Sequence, residues 1–192
     1  MDKLSSTIAK SCYYQIRNIG QIRSYISDDA CRVCSLVTSR LDYGNALLYG
    51  VNRTVIDRLQ KVQNTAARMI TRRRKHDHIT PTLVALHWLP VQYRCQYKIL
   101  LYVIKSLHGT APAYLSELIA IHRPSRTLRS ENSARINPPR IRTKTDGERR
   151  FDKSAATLWN NLPHEIRVLD SIDAVKSKLK TFLFKQPFSD FV

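Results

Sequence analysis

The chain contains few acidic residues and no long apolar run. Its 192 residues include 15 Asp and Glu against 32 Lys and Arg, which gives a formal net charge of +17 and a pI of about 10.1. Such an excess of positive charge favours a polyanionic partner or an anionic membrane and says nothing about fold. The longest strictly apolar run, Ile99–Ile104, is far shorter than the roughly 20 residues of a membrane-spanning helix. The first residues contain no apolar core of signal-peptide length. We therefore expect no membrane partner and an intracellular protein, with nucleus or cytoplasm left open.

The sequence also lacks the known signatures of catalysis and cofactor binding. It contains no nucleophile–base–acid set, no glycine-rich phosphate loop and no His-Glu-x-x-His motif. Its four cysteines all fall within helical patterns, which favours reduced thiols over a disulfide framework. We expect no catalytic residue, no metal site and no cofactor, and therefore no enzymatic activity of the chain itself.

Two motifs nevertheless resemble catalytic or metal sites. Asp28 and Asp29 follow an aromatic residue, as in the catalytic turn of polymerases, but they precede a helical pattern and no third carboxylate accompanies them. Helix N-capping is the simpler interpretation. Cys31 and Cys34 have the spacing of a zinc-binding pair, and His76 and His78 follow at a distance. Both cysteines, however, are predicted to lie on one helix, and the histidines lie in a basic loop that should repel a cation.

The stretch from His78 to Ile119 predicts three helices. Thr80 can cap the first helix, and Pro81 would then occupy the first helical position, where its missing N–H costs nothing. The second helix begins at Val91 and ends before Gly109, because apolar residues recur with a 3.6-residue period. Its middle is expected to be buried on most sides. A short third helix follows, and the whole stretch should be core. The apolar positions of the last two helices are Val91, Cys95, Ile99, Leu100, Tyr102, Val103, Ile104 and Leu107, then Tyr114, Leu115, Leu118 and Ile119.

Similar periodicity predicts further helices on both sides of this stretch. The first runs from a cap at Asp2 to Gly20, and Tyr13 and Tyr14 are expected to extend its buried face. Two more helices follow, the second starting near Thr54 and carrying basic residues on its outer side. Two C-terminal helices are predicted after residue 150. The buried stripe of the first helix is predicted to contain Leu4, Ile8, Cys12, Ile16 and Ile19.

These patterns predict a mainly α-helical fold in three parts. Residues 1–121 form a helical bundle, residues 122–150 a basic and partly extended segment, and residues 151–192 a pair of C-terminal helices. The middle segment has nine Lys and Arg against three acids, and two short extended pieces around Pro138-Pro139 suggest a hairpin.

The basic residues are the strongest functional signal. One group lies between the third helix and the central stretch, and the other lies in the middle segment. A charge run is often only a solvated loop, but two such groups and a basic helix face favour nucleic acid, since arginine binds phosphate through two N–H groups. The candidate phosphate-binding residues are Arg72, Arg73, Arg74, Lys75, Arg126, Arg129, Arg140, Arg142, Lys144, Arg149 and Arg150.

Seven segments, taken in order, resemble the region that follows the polymerase domain in Jockey-like non-LTR (LINE-type) retrotransposon reverse transcriptases. They are YYQIRNIGQIRSYIS, VTSRLDYGNALLYG, LQKVQNTAARMITRRRKHDHITP, LHWLPVQYR, LHGTAPAYLSELI, AATLWNNLPHEIR and VKSKLKTFLF. The resemblance implies a C-terminal part of a larger polyprotein. The fingers and palm of that polyprotein, with the catalytic Tyr/Phe-x-Asp-Asp turn of an RNA-directed DNA polymerase, would lie upstream. It also implies a thumb-like role for residues 1–121.

We therefore expect a non-catalytic reverse transcriptase segment that binds RNA or DNA backbones without regard to sequence. Its other partners would be the upstream polymerase domains, and its oligomeric state is open. Two alternatives remain: a helical protein-interaction remnant of a decayed element, and a metal-dependent enzyme that uses Cys31, Cys34 and the histidines.

Overall fold

A computed structural model describes residues 2–23, 30–122, 134–141, 147 and 149–189, with the backbone alone over 30–35. The described chain is mainly α-helical, as predicted. Its helices are α1 (Asp2–Ile22), α2 (Ala30–Asp42), α3 (Arg53–Thr71), α4 (Thr80–Ala85), α5 (Val91–Leu107), α6 (Ala113–Ser116), α7 (Phe151–Asn160), α8 (His164–Arg167) and α9 (Ile172–Lys185), with a short 3-10 helix at Asn45–Leu48. None of the described helices has both the length and the hydropathy needed to cross a membrane.

The chain divides into two compact units. Unit 1 comprises Met1–Cys95 and Phe184–Val192, and unit 2 comprises Gln96–Leu183. The three-part division at residues 121 and 150 rests on composition and stays a prediction.

In unit 1, α1 and α3 lie side by side and run parallel. Arg58 in the first half of α3 donates to the hydroxyls of Ser5 and Ser6 in the first turns of α1, at 3.2 and 2.8 Å. At the other end, Arg23 donates to the Ile70 carbonyl at 3.0 Å. The N-terminal part of α3 contacts the N-terminal part of α1, and the two C-terminal ends also contact each other. The C-termini of both helices therefore lie at the same end of the unit.

The buried stripe of α1 differs from the predicted one at its start and at its edge. Its buried residues are Ser5, Ala9, Cys12, Ile16 and Ile19. Leu4 is exposed, and so are Tyr13 and Tyr14. The prediction that the two tyrosines extend the buried face is therefore wrong. The helix needs only one narrow stripe to contact α2 and α3, and a small serine fits the close approach at its first turn.

The turn at the end of α2, from Leu41 to Asn45, is held by an ion pair between Asp42 and Arg94. Gly44 has a left-handed backbone (φ 64°), which glycine adopts without steric cost. Asp42 accepts two hydrogen bonds from Arg94, at 2.8 and 2.5 Å, and a third from the Asn45 amide at 3.2 Å. The resembling segments VTSRLDYGNALLYG and LHWLPVQYR thus contact each other through these polar side chains.

Helix α4 begins one residue earlier than predicted. Thr80 is its first residue, and no side chain caps it, so the predicted cap at Thr80 is wrong. Pro81 is tolerated one position further in, because the first four N–H groups of a helix have no partner within the helix. After α4, His87 has a positive φ of 53° and stacks on Phe184 with 5.9 Å between ring centres. The exposed His87 ring thus lies at the edge of the core, against Phe184, which packs on the buried cluster.

A network of amide side chains connects α3 to the start of α5. Fully buried Gln63 donates to the Leu89 carbonyl at 2.8 Å. The Gln60 side-chain oxygen accepts the N–H of Val91, the first residue of α5, at 2.9 Å. Gln60 also donates to the side-chain oxygens of Gln63 and Asn64 at 3.0 and 2.8 Å. Two glutamines of α3 therefore provide hydrogen-bond partners for the backbone carbonyl of Leu89 and the backbone N–H of Val91, where α5 begins.

Replacing Gln63 by alanine should lower the free energy of unfolding by about 1–3 kcal/mol, the cost of leaving a buried polar group unsatisfied. Here the Leu89 carbonyl loses its donor. Urea denaturation followed by circular dichroism measures the change. Exposed Gln92 of α5 provides the control, and Gln92→Ala should change stability by less than about 0.5 kcal/mol. Equal stability of the two variants would refute a structural role for the network.

In unit 2, the part of α5 that follows residue 95 buries one face. Ile99, Leu100, Val103 and Ile104 are buried, whereas Leu101 and Tyr102 are only partly covered. Burial is confirmed for six of the eight predicted positions of this helix, whereas Tyr102 and Leu107 are only partly covered. The segment is therefore not enclosed on all sides. Gly109 follows the helix with φ 68°, as predicted for a helix terminus.

Helix α6 is not part of the core. None of its residues is buried, and Tyr114 and Leu118 are exposed. The prediction that the whole stretch to Ile119 is core is wrong at this point, because a single helical turn with apolar residues on several sides cannot bury all of them.

An extended segment in unit 2 pairs with a different partner from the one predicted. Ile136 forms an isolated antiparallel bridge with Ile121, and two backbone hydrogen bonds flank it, His122 N–H to Arg135 O at 2.9 Å and Asn137 N–H to Ala120 O at 2.8 Å. Within the described residues no hairpin forms around Pro138-Pro139. The prolines cannot donate to a strand ladder, whereas the chain before residue 123 offers free backbone groups.

Helix α7 holds this segment on its other side. The Asn160 side chain accepts the Ile136 N–H at 3.0 Å and donates to the Ile136 carbonyl at 2.8 Å. The Trp159 indole N–H donates to the Ala134 carbonyl at 2.6 Å. Because the backbone bonds to residues 120–122 come from Arg135 and Asn137, the two polar groups of Ile136 face away from that bridge, and the amide of Asn160 satisfies both.

Candidate nucleic-acid interface

The loop that follows α3 presents four consecutive cations, Arg72–Lys75. Helix α3 ends at Thr71, and Arg72 adopts a left-handed conformation (φ 53°, ψ 30°). The N–H groups of Arg72 and Arg73 both donate to the Arg68 carbonyl, which satisfies one of the free carbonyls of the helix end. The left-handed conformation of Arg72, the first residue of the basic run, turns the chain away from the axis of α3.

Asp77 holds the loop in a tight turn. Its carboxylate accepts the backbone N–H of Arg74 at 2.9 Å, and its own N–H donates to the Arg74 carbonyl at 3.2 Å. Arg68 completes the turn by donating from Nη2 to the Asp77 carbonyl at 3.2 Å. Asp77, the acid that follows the basic run in the sequence, therefore binds the backbone of the loop.

All four side chains of Arg72–Lys75 are exposed. Among the described residues, none of the four forms an ion pair. Four like charges on a loop of fixed backbone form a local field that attracts anions, and each arginine can bind a phosphate through two parallel N–H groups.

Further cations lie at the same end of unit 1. Arg23 binds the Ile70 carbonyl, and the Nε of Arg68 is buried without a hydrogen-bond partner in the described chain. The carbonyl ends of α1 and α3 both lie here, and positive charge at a helix C-terminus is favourable by about 0.3–1 kcal/mol. Part of the cluster is thus accounted for by the helix ends. Helix dipoles do not require four exposed cations beyond the last turn.

The basic candidates of the middle segment have different surroundings where the structure describes them. Arg140 is exposed. Arg150 is paired with the largely buried carboxylate of Asp152 at 2.6 Å, and the Nε of Arg149 is buried with no partner in the part of the chain that is described. Arg126, Arg129, Arg142 and Lys144 lie outside the described residues.

Unit 2 contains one pair of cations that the sequence analysis did not select. Burial lowers the pKa of the Arg167 guanidinium, and the positive charge of Arg135 lowers it further. Arg135 and Arg167 are far apart in the sequence, and only the fold brings their positive charges close enough to affect each other.

In the described residues, potential metal ligands do not cluster, and both of the cysteines whose side chains are described are buried. The described residues contain no group of three or more His, Cys, Asp or Glu that could hold a metal ion. Cys12 and Cys95 are buried free thiols. Burial and the nearby Asp42 carboxylate raise the pKa of Cys95 to about 12, so this thiol is protonated at neutral pH and a poor ligand or nucleophile. The side chains of Asp28, Asp29, Cys31 and Cys34 lie outside the described residues.

No family model, no curated protein and no solved structure matches this chain. The resemblance to the retrotransposon reverse transcriptases therefore stays a prediction based on the sequence motifs. The charge and exposure of named residues remain the physical basis for a functional proposal.

Proposed function

We propose that this chain binds RNA or DNA backbones without sequence preference and performs no catalysis itself. The observation that carries the proposal is the loop Arg72–Lys75, four exposed cations without ion pairs in the described chain, on a turn fixed by Asp77. By the resemblance of its motifs, the chain would serve as the thumb-like region after the palm of a Jockey-like reverse transcriptase.

Phosphate is the ligand that suits this loop. The formal charge of +17 attracts any polyanion, and cations that neutralise phosphates release condensed counterions, so affinity falls steeply with salt. Reading a base sequence requires side chains that reach base edges from a helix or strand in a groove. The loop places its charges beyond a helix end, which suits contacts to the backbone.

Replacing Arg72, Arg73, Arg74 and Lys75 together by glutamine should weaken binding to all nucleic-acid sequences about equally. The parent should bind with a dissociation constant of about 10⁻⁴–10⁻⁶ M at physiological salt, as non-specific binders do. The plot of log affinity against log salt should flatten by up to about 0.7 per lost contact on a single strand and about 0.9 on B-DNA. Fluorescence anisotropy with labelled oligonucleotides at several salt concentrations measures both quantities.

A variant with the same loss of charge elsewhere provides the control. Arg53, Lys178, Lys180 and Lys185 are exposed, and their joint replacement by glutamine should change the salt slope less than the loop variant does. If the two variants weaken binding equally, the loop has no specific role and binding follows net charge alone.

A protein-interaction module is the second candidate, and exposed apolar side chains favour it. Tyr43 and Leu47 follow α2 and are 81% and 62% exposed, and Tyr114 of α6 is 66% exposed. Large exposed apolar residues can mark contact surfaces. Failure of the parent chain to bind any oligonucleotide at about 50 mM salt, where electrostatic binding is strong, would favour this candidate over the first.

A further inference from the structure

The outer face of α1 is a second basic surface, separate from the loop after α3. Its residues follow one another at intervals of four and three, so they share one side of the helix. All of them are exposed, and they lie opposite the buried stripe that contains Cys12 and Ile16. The outer face consists of Lys3, Thr7, Lys10, Tyr14, Arg17 and Gln21.

Only positive charge lies along this face. Lys3, Lys10 and Arg17 are spaced seven residues apart, or about 10 Å at the helical rise of 1.5 Å per residue. Asp2, at the first turn, is the only acid in α1. Within the described residues, none of the three cations forms an ion pair. The row of charge is therefore about 20 Å long and open to solvent.

A fourth cation comes from α3. Arg58 Nη1 donates to the hydroxyls of Ser5 and Ser6 at 3.2 and 2.8 Å, and Ser6 lies one helical turn before Lys10 of the outer face. These two bonds hold Nη1 of the exposed Arg58, and no described residue accepts a hydrogen bond from its Nε or Nη2. Two helices thus contribute cations to one continuous surface.

Tyr14 lies in the middle of this row, with Lys10 one turn before it and Arg17 one turn after it. Tyr14 is 63% exposed, and among the described residues no hydrogen bond or ring contact holds its side chain. Single-strand-binding proteins combine cations that track the backbone with aromatic rings that stack on unpaired bases. A duplex offers its phosphates to such a surface but not the faces of its bases.

We propose that the outer face of α1 binds single-stranded nucleic acid, with Lys3, Lys10 and Arg17 at phosphates and Tyr14 stacked on a base. The proposal rests on the nucleic-acid binding proposed above and narrows it to single strands at this face.

Replacing Tyr14 by alanine should weaken binding of a single-stranded RNA by about 5- to 150-fold, the range expected for one base stacked on an aromatic ring. Binding of a duplex of the same length should change by less than about twofold, because its bases are already stacked on one another. Tyr14→Phe should restore the affinity, since the ring is kept. Tyr43→Ala removes a tyrosine that is even more exposed, at 81%, and lies outside this face; it should have no effect.

A second pair of variants tests the charges. Replacing Lys3, Lys10 and Arg17 by glutamine should lower the salt slope for the single strand by up to about 2, at roughly 0.7 per contact. Replacing Lys178, Lys180 and Lys185 removes the same charge from α9 and should change the slope less. All six side chains are exposed, so both variants should keep the fold, as circular dichroism can verify.

The possible outcomes separate this proposal from the general one. A parent that binds single strands and duplexes, with Tyr14→Ala equal to the parent on both, overturns the proposal for α1 and leaves the loop after α3 in place. Equal losses on single strand and duplex also overturn it, because stacking would then have no part. A parent that binds no nucleic acid overturns both proposals.

Discussion

Leu100→Ala should lower the free energy of unfolding by about 2–5 kcal/mol, the cost of removing a large aliphatic side chain from a packed core. Leu100 is 1% exposed in α5, and Ile104, one turn later, is equally buried. The protein interior relaxes only partly around such a deletion, so the loss includes a cavity as well as the transfer of the methyl groups. Urea denaturation followed by circular dichroism gives the value, and Ile104→Ala should fall in the same range.

Leu118 provides the matched control, because it is the same residue type in the same unit and is 45% exposed. Leu118→Ala should change stability by less than about 0.5 kcal/mol, as is usual for surface positions. If Leu118→Ala were as destabilising as Leu100→Ala, the difference in burial between α5 and the turn that follows α6 would be refuted.

The long helices could be predicted because their buried stripes are regular. The 3.6-residue period identifies α1, α3 and α5, and the glycine at position 109 correctly marks a helix end. The orientation of Tyr13 and Tyr14 could not be predicted in this way. An aromatic ring beside a stripe can pack inward or stand in solvent, and neighbouring helices that are distant in sequence decide between the two.

Polar residues with structural roles were missed for a related reason. Gln63 lies within the apolar stripe of α3 and is fully buried, but its partner is a carbonyl 26 residues further along the chain. A periodic pattern contains no information about such long-range hydrogen bonds. The partner of Ile136 was missed likewise, because backbone pairing depends on which segments meet in space.

The distribution of charge in the sequence predicts only part of the candidate site. The basic run Arg72–Lys75 was selected as a dense cluster, and its exposure is consistent with that choice. Charge alone could not show that Arg150 is paired with Asp152, although an acid two residues further on was a usable signal. The cations on the outer face of α1 are less conspicuous in the sequence, because they recur at helical spacing and do not form a run.

Asn160→Ala should lower the free energy of unfolding by about 2–6 kcal/mol, since two backbone groups lose their partner at roughly 1–3 kcal/mol each. Ile136 is 2% exposed, and its N–H and carbonyl both bind the Asn160 amide, at 3.0 and 2.8 Å. Water cannot easily replace the amide at a residue so well covered. In addition, Asn160→Ala should speed hydrogen exchange at the Ile136 amide, which mass spectrometry of the peptide containing residues 134–137 can follow.

The next residue supplies a closely matched control. Asn161 has an exposed side chain, and its backbone N–H donates to Thr157 O, a bond that alanine would keep. Asn161→Ala makes the same chemical change one residue away, so any general effect of alanine on the end of α7 is common to both variants. We expect Asn161→Ala to remain within about 0.5 kcal/mol of the parent. Equal stabilities for the two variants, together with unchanged exchange at Ile136, would show that the Asn160 amide does not hold the extended segment in place.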